Sequence, residues 1–261
     1  MNQKTKEHIR ASLAQGVRLD GRALDEFRPI EIEFGVVDNA EGSARVRVGD
    51  NEVLAGVKLG LGEPFPDRPE SGALMVNAEL IPMSSPNFEG GPPGINAIEA
   101  SRVIDRGIRE SKSIDEKELC VTAGESVWVV NVDVYPINFN GNMIDVGGIA
   151  AVAAIINARF PTLNGKDVDY KNLTEKGLPL SQIPVPITVL KIGDQLIVDP
   201  TEEEEEAADC KMTVTTIDDG SICSLQKGGD AAILVEELNS IFELAIKKGA
   251  EIREIIKKAK N

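Results

Sequence analysis

Residues 198–212 read V-D-P-T-E-E-E-E-E-A-A-D-C-K-M, an apolar strand end that runs into seven carboxylates with a single cation, Lys211. Two of these carboxylates, Asp199 and Glu205, stand six residues apart across a Pro- and Glu-rich turn. A cluster of this kind between two strands holds a divalent metal, serves as a general acid, or is a solvated acidic loop. The metal reading is the weakest for residues 202–206, because consecutive Glu side chains splay in different directions and the run lacks the glycine of a calcium loop. No metal and no cofactor is expected.

Downstream of this stretch the pattern predicts strands over 211–217 and 221–226 and a long helix over 230–258; upstream it predicts strands over 186–192 and 195–198. The N-terminal third is also rich in strand signals. Ile30, Ile32, Phe34 and Val36 alternate with Glu31, Glu33 and Gly35, and Ala44, Val46 and Val48 alternate with Arg45 and Arg47. Segments 51–58 and 73–80 continue the pattern, so a mixed, largely antiparallel sheet is expected. A short helix over 6–15 places Ile9 and Leu13 on one face.

The loops 60–72 and 82–94 are dense in Gly and Pro and too long for simple hairpins. Asn96, with Glu99 three residues on, predicts a capped helix start. Along that helix Ala97, Ala100, Ile104 and Ile108 form the apolar stripe, while Arg102, Arg106 and Arg109 recur at helical spacing on another face. After a strand over 127–137, an Ala- and Gly-rich helix is expected over 146–160 and a polar connection over 166–184. Strands followed by helices, twice, predict an α+β protein of two similar halves.

Composition narrows the function. At 261 residues the chain can bury a substantial core, and its apolar runs are interrupted well short of the roughly 20 residues that a membrane span needs. Residues 1–10 hold no apolar stretch of a signal peptide, so a cytoplasmic location is expected. Cys120, Cys210 and Cys223 are odd in number and lack C-x-x-C spacing, which suggests neither a disulfide framework nor a zinc site. The sole histidine, His8, lies in a polar segment, and this excludes His-dependent triads and zincin chemistry elsewhere. A net charge of −15 argues against a protein coated with nucleic acid over its whole surface but leaves a local basic stripe open. Gly141, Gly147 and Gly148 lack the spacing of a nucleotide loop and read as a turn with close helix contact. Trp128 reads as core, and Phe65 and Phe88 are the aromatics placed to stack on a base.

The string Ala207, Ala208, Asp209, Cys210, Lys211, Met212, Thr213, Val214, taken with Asp199 and Glu205, resembles the catalytic loop of the RNase PH family of phosphate-dependent 3′-to-5′ exoribonucleases. The opening Arg18, Leu19, Asp20, Gly21, Arg22, then Asp25, Arg28 and Pro29, resembles the R-x-D-G-R…R-P lead-in to that family's first strand. The resemblance spans nearly the whole chain. It implies an RNase PH-like fold (ribosomal protein S5 domain 2-like), with a lead-in segment over 1–25, an N-terminal domain over 26–184 and a C-terminal domain over 185–261.

The departures from the family pattern fall on the chemistry. The second catalytic Asp is Glu205, which extends the carboxylate by about 1.5 Å, a carbon–carbon step. Displacements near 1 Å cost roughly a hundredfold in catalysis. A further carboxylate is replaced by Lys211. Where the family has a D-G-G-T-R-like phosphate turn, this chain reads Asn140, Gly141, Asn142, Met143, Ile144, Asp145, with no Arg between Arg109 and Arg159. An Asp at a helix start repels phosphate, and no cation offsets the anion's desolvation.

The chain is most similar to the non-catalytic RNase PH-type subunits of archaeal exosome cores. That resemblance implies a ring of three heterodimers with a catalytic RNase PH-like subunit, RNA-binding cap subunits, and RNA as substrate. It also implies that Arg102 and Arg106, with Arg109 as the weaker member, contact RNA, and that Asp199 and Glu205 are vestigial. Two alternatives are an independently active phosphorolytic or metal-dependent exoribonuclease, and an interaction domain unrelated to RNA.

Overall fold

The computed structural model describes residues 3–165 and 167–260, so Met1, Asn2, Lys166 and Asn261, included in ranges above, lie outside it. Alternation at period two is what builds the first sheet. Its strands are β1 (Ile30–Phe34), β2 (Gly42–Val48), β3 (Asn51–Gly62), β4 (Ala73–Ala78), β5 (Cys120–Thr122) and β6 (Ser126–Asn138). The order is β1-β2-β3-β6-β4, antiparallel except for β4, which runs parallel to β6; β5 also pairs with β6. Ala44, Val46, Val48, Val53, Ala55 and Val57 all turn to the buried side. The opposite face carries a charged ladder in which Arg45 meets Glu33 at 3.2 Å and Glu52 at 3.2 Å, and Arg47 meets Glu52 at 3.0 Å. One face therefore drives burial while the other stays solvated.

Two helices lie with this sheet, α2 (Ile95–Glu110) and α3 (Met143–Asn157). In α3 every residue from Met143 to Ile155 is buried, because the helix is enclosed by the sheet, α2 and the second half of the fold. Its small residues permit that enclosure. A Cβ placed on Gly148 would sit 2.4 Å from Cγ of Pro186, so the helix and the next sheet approach through a glycine.

Strands β7 (Arg159–Asn164) and β8 (Asp167–Gly177) form a separate antiparallel pair. The second large sheet has the antiparallel order β10-β9-β11-β12, built from β9 (Val185–Ile192), β10 (Gln195–Val198), β11 (Cys210–Thr216) and β12 (Ile222–Gly229). Between β10 and β11 lies the short helix α4 (Glu202–Ala207), and α5 (Val235–Lys260) covers β9 and β11 through Ile241, Ala245, Ile252 and Ile256. The N-terminal helix α1 (Gln3–Leu13) seats Ile9 and Leu13 in a small separate core with Leu190, Ile192, Ile197 and Ala207. No helix among the described residues is long and apolar enough to cross a membrane.

Several sequence-based boundaries are corrected. The helix expected over 146–160 begins at Met143 and ends at Asn157, and the chain then enters β7. The expected polar connection is mostly strand β8, whose residues are exposed or half-exposed on both faces. A two-stranded ribbon with little to bury has no alternation to read. Helix α2 starts one residue early at Ile95, with Gly94 as its cap and no side-chain capping bond; Glu99 instead accepts from Lys211 at 3.0 Å. The acidic run is a helix rather than a turn, capped by Thr201 and Glu204 in a reciprocal box. Phe88 is half-buried with its ring centroid 4.9 Å from that of Phe139, so it is no free stacking platform.

Gly148→Ala is expected to destabilise the fold by about 1–3 kcal/mol, because overpacking against the rigid Pro186 ring outweighs the gain in helix propensity of about 1 kcal/mol. The midpoint of chemical denaturation checks this.

Candidate functional site

The lead-in segment and the acidic stretch are one structure. Arg28 donates from Nη2 to Oδ1 of Asp199 at 2.7 Å, and from both its Nε and its backbone N–H to Oδ2 at 2.8 Å. Arg22 donates to the same Oδ2 at 2.8 Å, and Asn142 donates from Nδ2 to Oδ1 at 2.9 Å. Asp199 is fully buried with both oxygens engaged. Beside it Arg18 forms a two-pronged pair with Glu204, at 2.9 and 2.6 Å, and caps the carbonyls of Val198 and Asp199 at 3.0 and 2.8 Å. Burial works against the charge on Asp199, but the Arg28 guanidinium and N–H outweigh it and hold the carboxyl below its ordinary range.

Backbone geometry supports this arrangement. Asp199 and Asn142 both adopt left-handed φ, at 45° and 56°, a region that Asp and Asn tolerate better than most residues. Gly141, also left-handed, lies so near the β10–α4 turn that a Cβ there would be 2.5 Å from the Pro200 carbonyl oxygen. The turn before α3 and the turn before α4 are thus interlocked.

Glu205 lies on the other side of Asn142. Its Oε1 accepts the Asn142 backbone N–H at 3.0 Å, so Asn142 joins the two carboxylates singled out in the sequence. Burial pushes the Glu205 carboxyl up. It faces a cavity of about 400 Å³ that Glu99, Glu202, Glu206 and Lys211 also line. The single cation, Lys211, is spent on Glu99 at 3.0 Å. Four glutamates therefore line this cavity, and the one cation among its lining residues is already paired.

The three arginines of α2 are exposed but differ in their partners. Arg106 donates to Gln226 at 3.1 Å, and Arg109 is tied to Asp105 at 2.7 Å and to the Leu74 carbonyl at 3.3 Å. Arg102 shares its outward stripe with Ile95 and Ile98, which are 79% and 41% exposed. The residues that sequence reasoning missed are Arg18, Arg22 and Arg28 as partners of Asp199 and Glu204. The sequence signal was the lead-in motif itself, three arginines in a polar turn whose nearby Asp20 engages Arg22 at 2.7 Å and so offers a local partner that masks the distant one.

This fold, two sheet-and-helix halves meeting at a carboxylate-bearing turn, defines an RNase PH-type exoribonuclease domain. The chain belongs to the 3′ exoribonuclease family, matching its domain 1 over residues 26–161 and its domain 2 over residues 182–248. It is 44% identical over 257 residues to the exosome complex component Rrp42 of Thermococcus kodakarensis, covering 97% of this chain and 94% of that protein. Its identity to exosome complex component Rrp42 of Pyrococcus abyssi is 46% over the same span and coverage. Among solved structures, a chain of the Archaeoglobus fulgidus exosome with RNA bound to the active site superposes with a TM-score of 0.90 at 39% identity, covering 96% of this chain and 97% of that one. A chain of an archaeal exosome core gives 0.87 at 36% identity, covering 97% and 96%.

Asp199→Asn is expected to cost about 3–5 kcal/mol, the scale of leaving a buried partner charge uncompensated. Because the folded pKa lies below the ordinary 3.8, the clamp's contribution is present above that value and is lost only as pH falls through the depressed folded pKa. Acid denaturation followed by circular dichroism, wild type against variant, checks both the size and the window.

Proposed function

We propose that this chain is a non-catalytic ring subunit of an exosome-type RNA-degrading complex. It alternates with an active RNase PH-like subunit in a ring of three heterodimers, beneath RNA-binding cap subunits. Its task is to shape the partner's active site and to hold RNA through Arg102 and Arg106, with Arg109 contributing less because Asp105 already engages it. The observation that carries this reading is the locked state of the reaction-centre frame. Asp199 has both oxygens filled by Arg22, Arg28 and Asn142, and the adjoining cavity presents carboxylates to an anionic reactant.

The names of the similar proteins support an exosome assembly, and the surface supports a shared one. Ile95 and Ile98 expose apolar area at the start of the same helix that carries the arginines, a combination suited to a protein contact adjoining a phosphate path. Arginine fits that path because its planar fork holds phosphate oxygens without reading base identity.

Two measurements test the proposal. Co-expressed with an active family partner, the chain is expected to form a ring of three heterodimers by native mass, and Glu205→Gln in that ring should leave phosphate-dependent RNA shortening unchanged. A chain that stays monomeric beside its partner at micromolar concentration, or a ring that loses turnover with Glu205→Gln, contradicts the reading. In the ring, Arg102→Glu with Arg106→Glu should weaken RNA binding without base selectivity. Each lost phosphate contact should flatten the salt dependence of binding by about 0.7 in log–log slope. Titrations across a salt series measure this.

A further inference from the structure

We propose that Asp145 is a proton-sensitive contact between the two halves of the fold: neutral, it seals the seam where the start of α3 meets β9, and ionised, it weakens that seam. The inference stands independently of the functional reading. Asp145 is the one charged residue of α3 and is fully buried. Across the seam, Thr188 of β9 donates its backbone N–H to Oδ2 at 2.9 Å, and its hydroxyl lies 2.6 Å from Oδ1. The same hydroxyl lies 2.8 Å from that of Thr213 on β11. This chain of hydroxyls can run in either direction, so it accommodates a protonated carboxyl as donor or an ionised one as acceptor.

What separates Asp145 from Asp199 is the absence of a guanidinium. The charges on the surrounding elements are committed elsewhere. Arg45 and Arg47 of β2 pair with Glu52, and Lys58 of β3 pairs with Glu41. Lys191 of β9 pairs with Glu237, and Glu99 of α2 with Lys211 of β11. Asp105 of α2 holds Arg109, while Arg102 and Arg106 are exposed; on β1 and β6, Glu31, Glu33 and Asp133 belong to the outer face of the sheet. The charge that does bear on Asp145 is the Asp199 anion, linked to it through the Asn142 side chain. Burial is the largest influence and the Asp199 anion adds to it; the Thr188 and Asn142 donors oppose them, as does the helix N-terminus. The balance pushes the carboxyl up from 3.8 to about 7.

A carboxyl whose folded pKa exceeds its unfolded value keeps its proton in the native state where the unfolded chain has lost it. Its contribution is therefore greatest below the unfolded value and declines as pH rises toward the folded one. This is the reverse of Asp199. The test is denaturant unfolding of the full chain from pH 4 to 9, wild type against Asp145→Asn. The ratio of their folding constants is expected to fall by up to roughly a thousandfold between about pH 4 and 7 and then level off, the other carboxylates cancelling. A ratio that stays constant through that window overturns the proposal. Carbon-13 carboxyl spectra of aspartate-labelled wild-type protein give an independent reading should the variant fail to fold. One buried aspartate should titrate near pH 7, and Thr188→Val should move that midpoint upward. If every aspartate titrates below pH 5, or if Thr188→Val moves none of them, the proposal fails.

Discussion

The clamp of Asp199 by Arg28 and Arg22, with Arg18 on Glu204 beside it, is the interaction on which the rest of the molecule depends. It joins a segment ahead of the first strand to a turn in the second half, some 170 residues later. Buried ions are tolerated only when their hydrogen bonds are complete, and here the carboxylate receives donors on both oxygens while the arginines also cap backbone carbonyls. The turn into α4 is thereby set, and with it the position of Glu205, its bond to Asn142 and one wall of the acidic cavity. In this structure Asp199 is a joint between the lead-in segment and the second half of the fold.

That joint has an electrostatic consequence nearby. Two buried aspartates are linked through Asn142, yet their carboxyls are pushed in opposite directions. Guanidinium partners outweigh burial at Asp199 and lower its pKa; at Asp145 burial outweighs hydroxyl and amide donors and raises it. The negative charge of Asp199 contributes to the upward shift of Asp145. In the cavity Glu205 is likewise pushed up by burial, with the Asn142 backbone N–H and the already paired Lys211 opposing the shift.

Much of the fold was legible. The alternation over residues 30–58 marked the first sheet, the small-residue stretch expected as a helix over 146–160 marked the enclosed one at Met143–Asn157, and the long helix expected over 230–258 is found at Val235–Lys260. The β7–β8 ribbon was not legible, because β8 is exposed or half-exposed throughout and carries no period, and β7 begins within the stretch expected as helix. Nor was the start of α2, where Glu99 had a better partner in Lys211 than its own helix terminus. Of the candidate site, Asp199 and Glu205 were singled out in the sequence and are joined through Asn142, but the guanidinium partners of Asp199 were not foreseen.

The sequence by itself determined which residues are apolar at which spacing, and so the sheets, most of the helices, the family frame and the absence of any arginine between Arg109 and Arg159. Only the tertiary structure decided what each charge does. Whether an aspartate is a catalyst, a clamp or a neutral acid depends on its burial and on which donors lie within about 3 Å. Those donors come from Arg22, Arg28, Asn142 and Thr188, residues distant along the chain, and no local pattern encodes contacts that chain folding alone brings together.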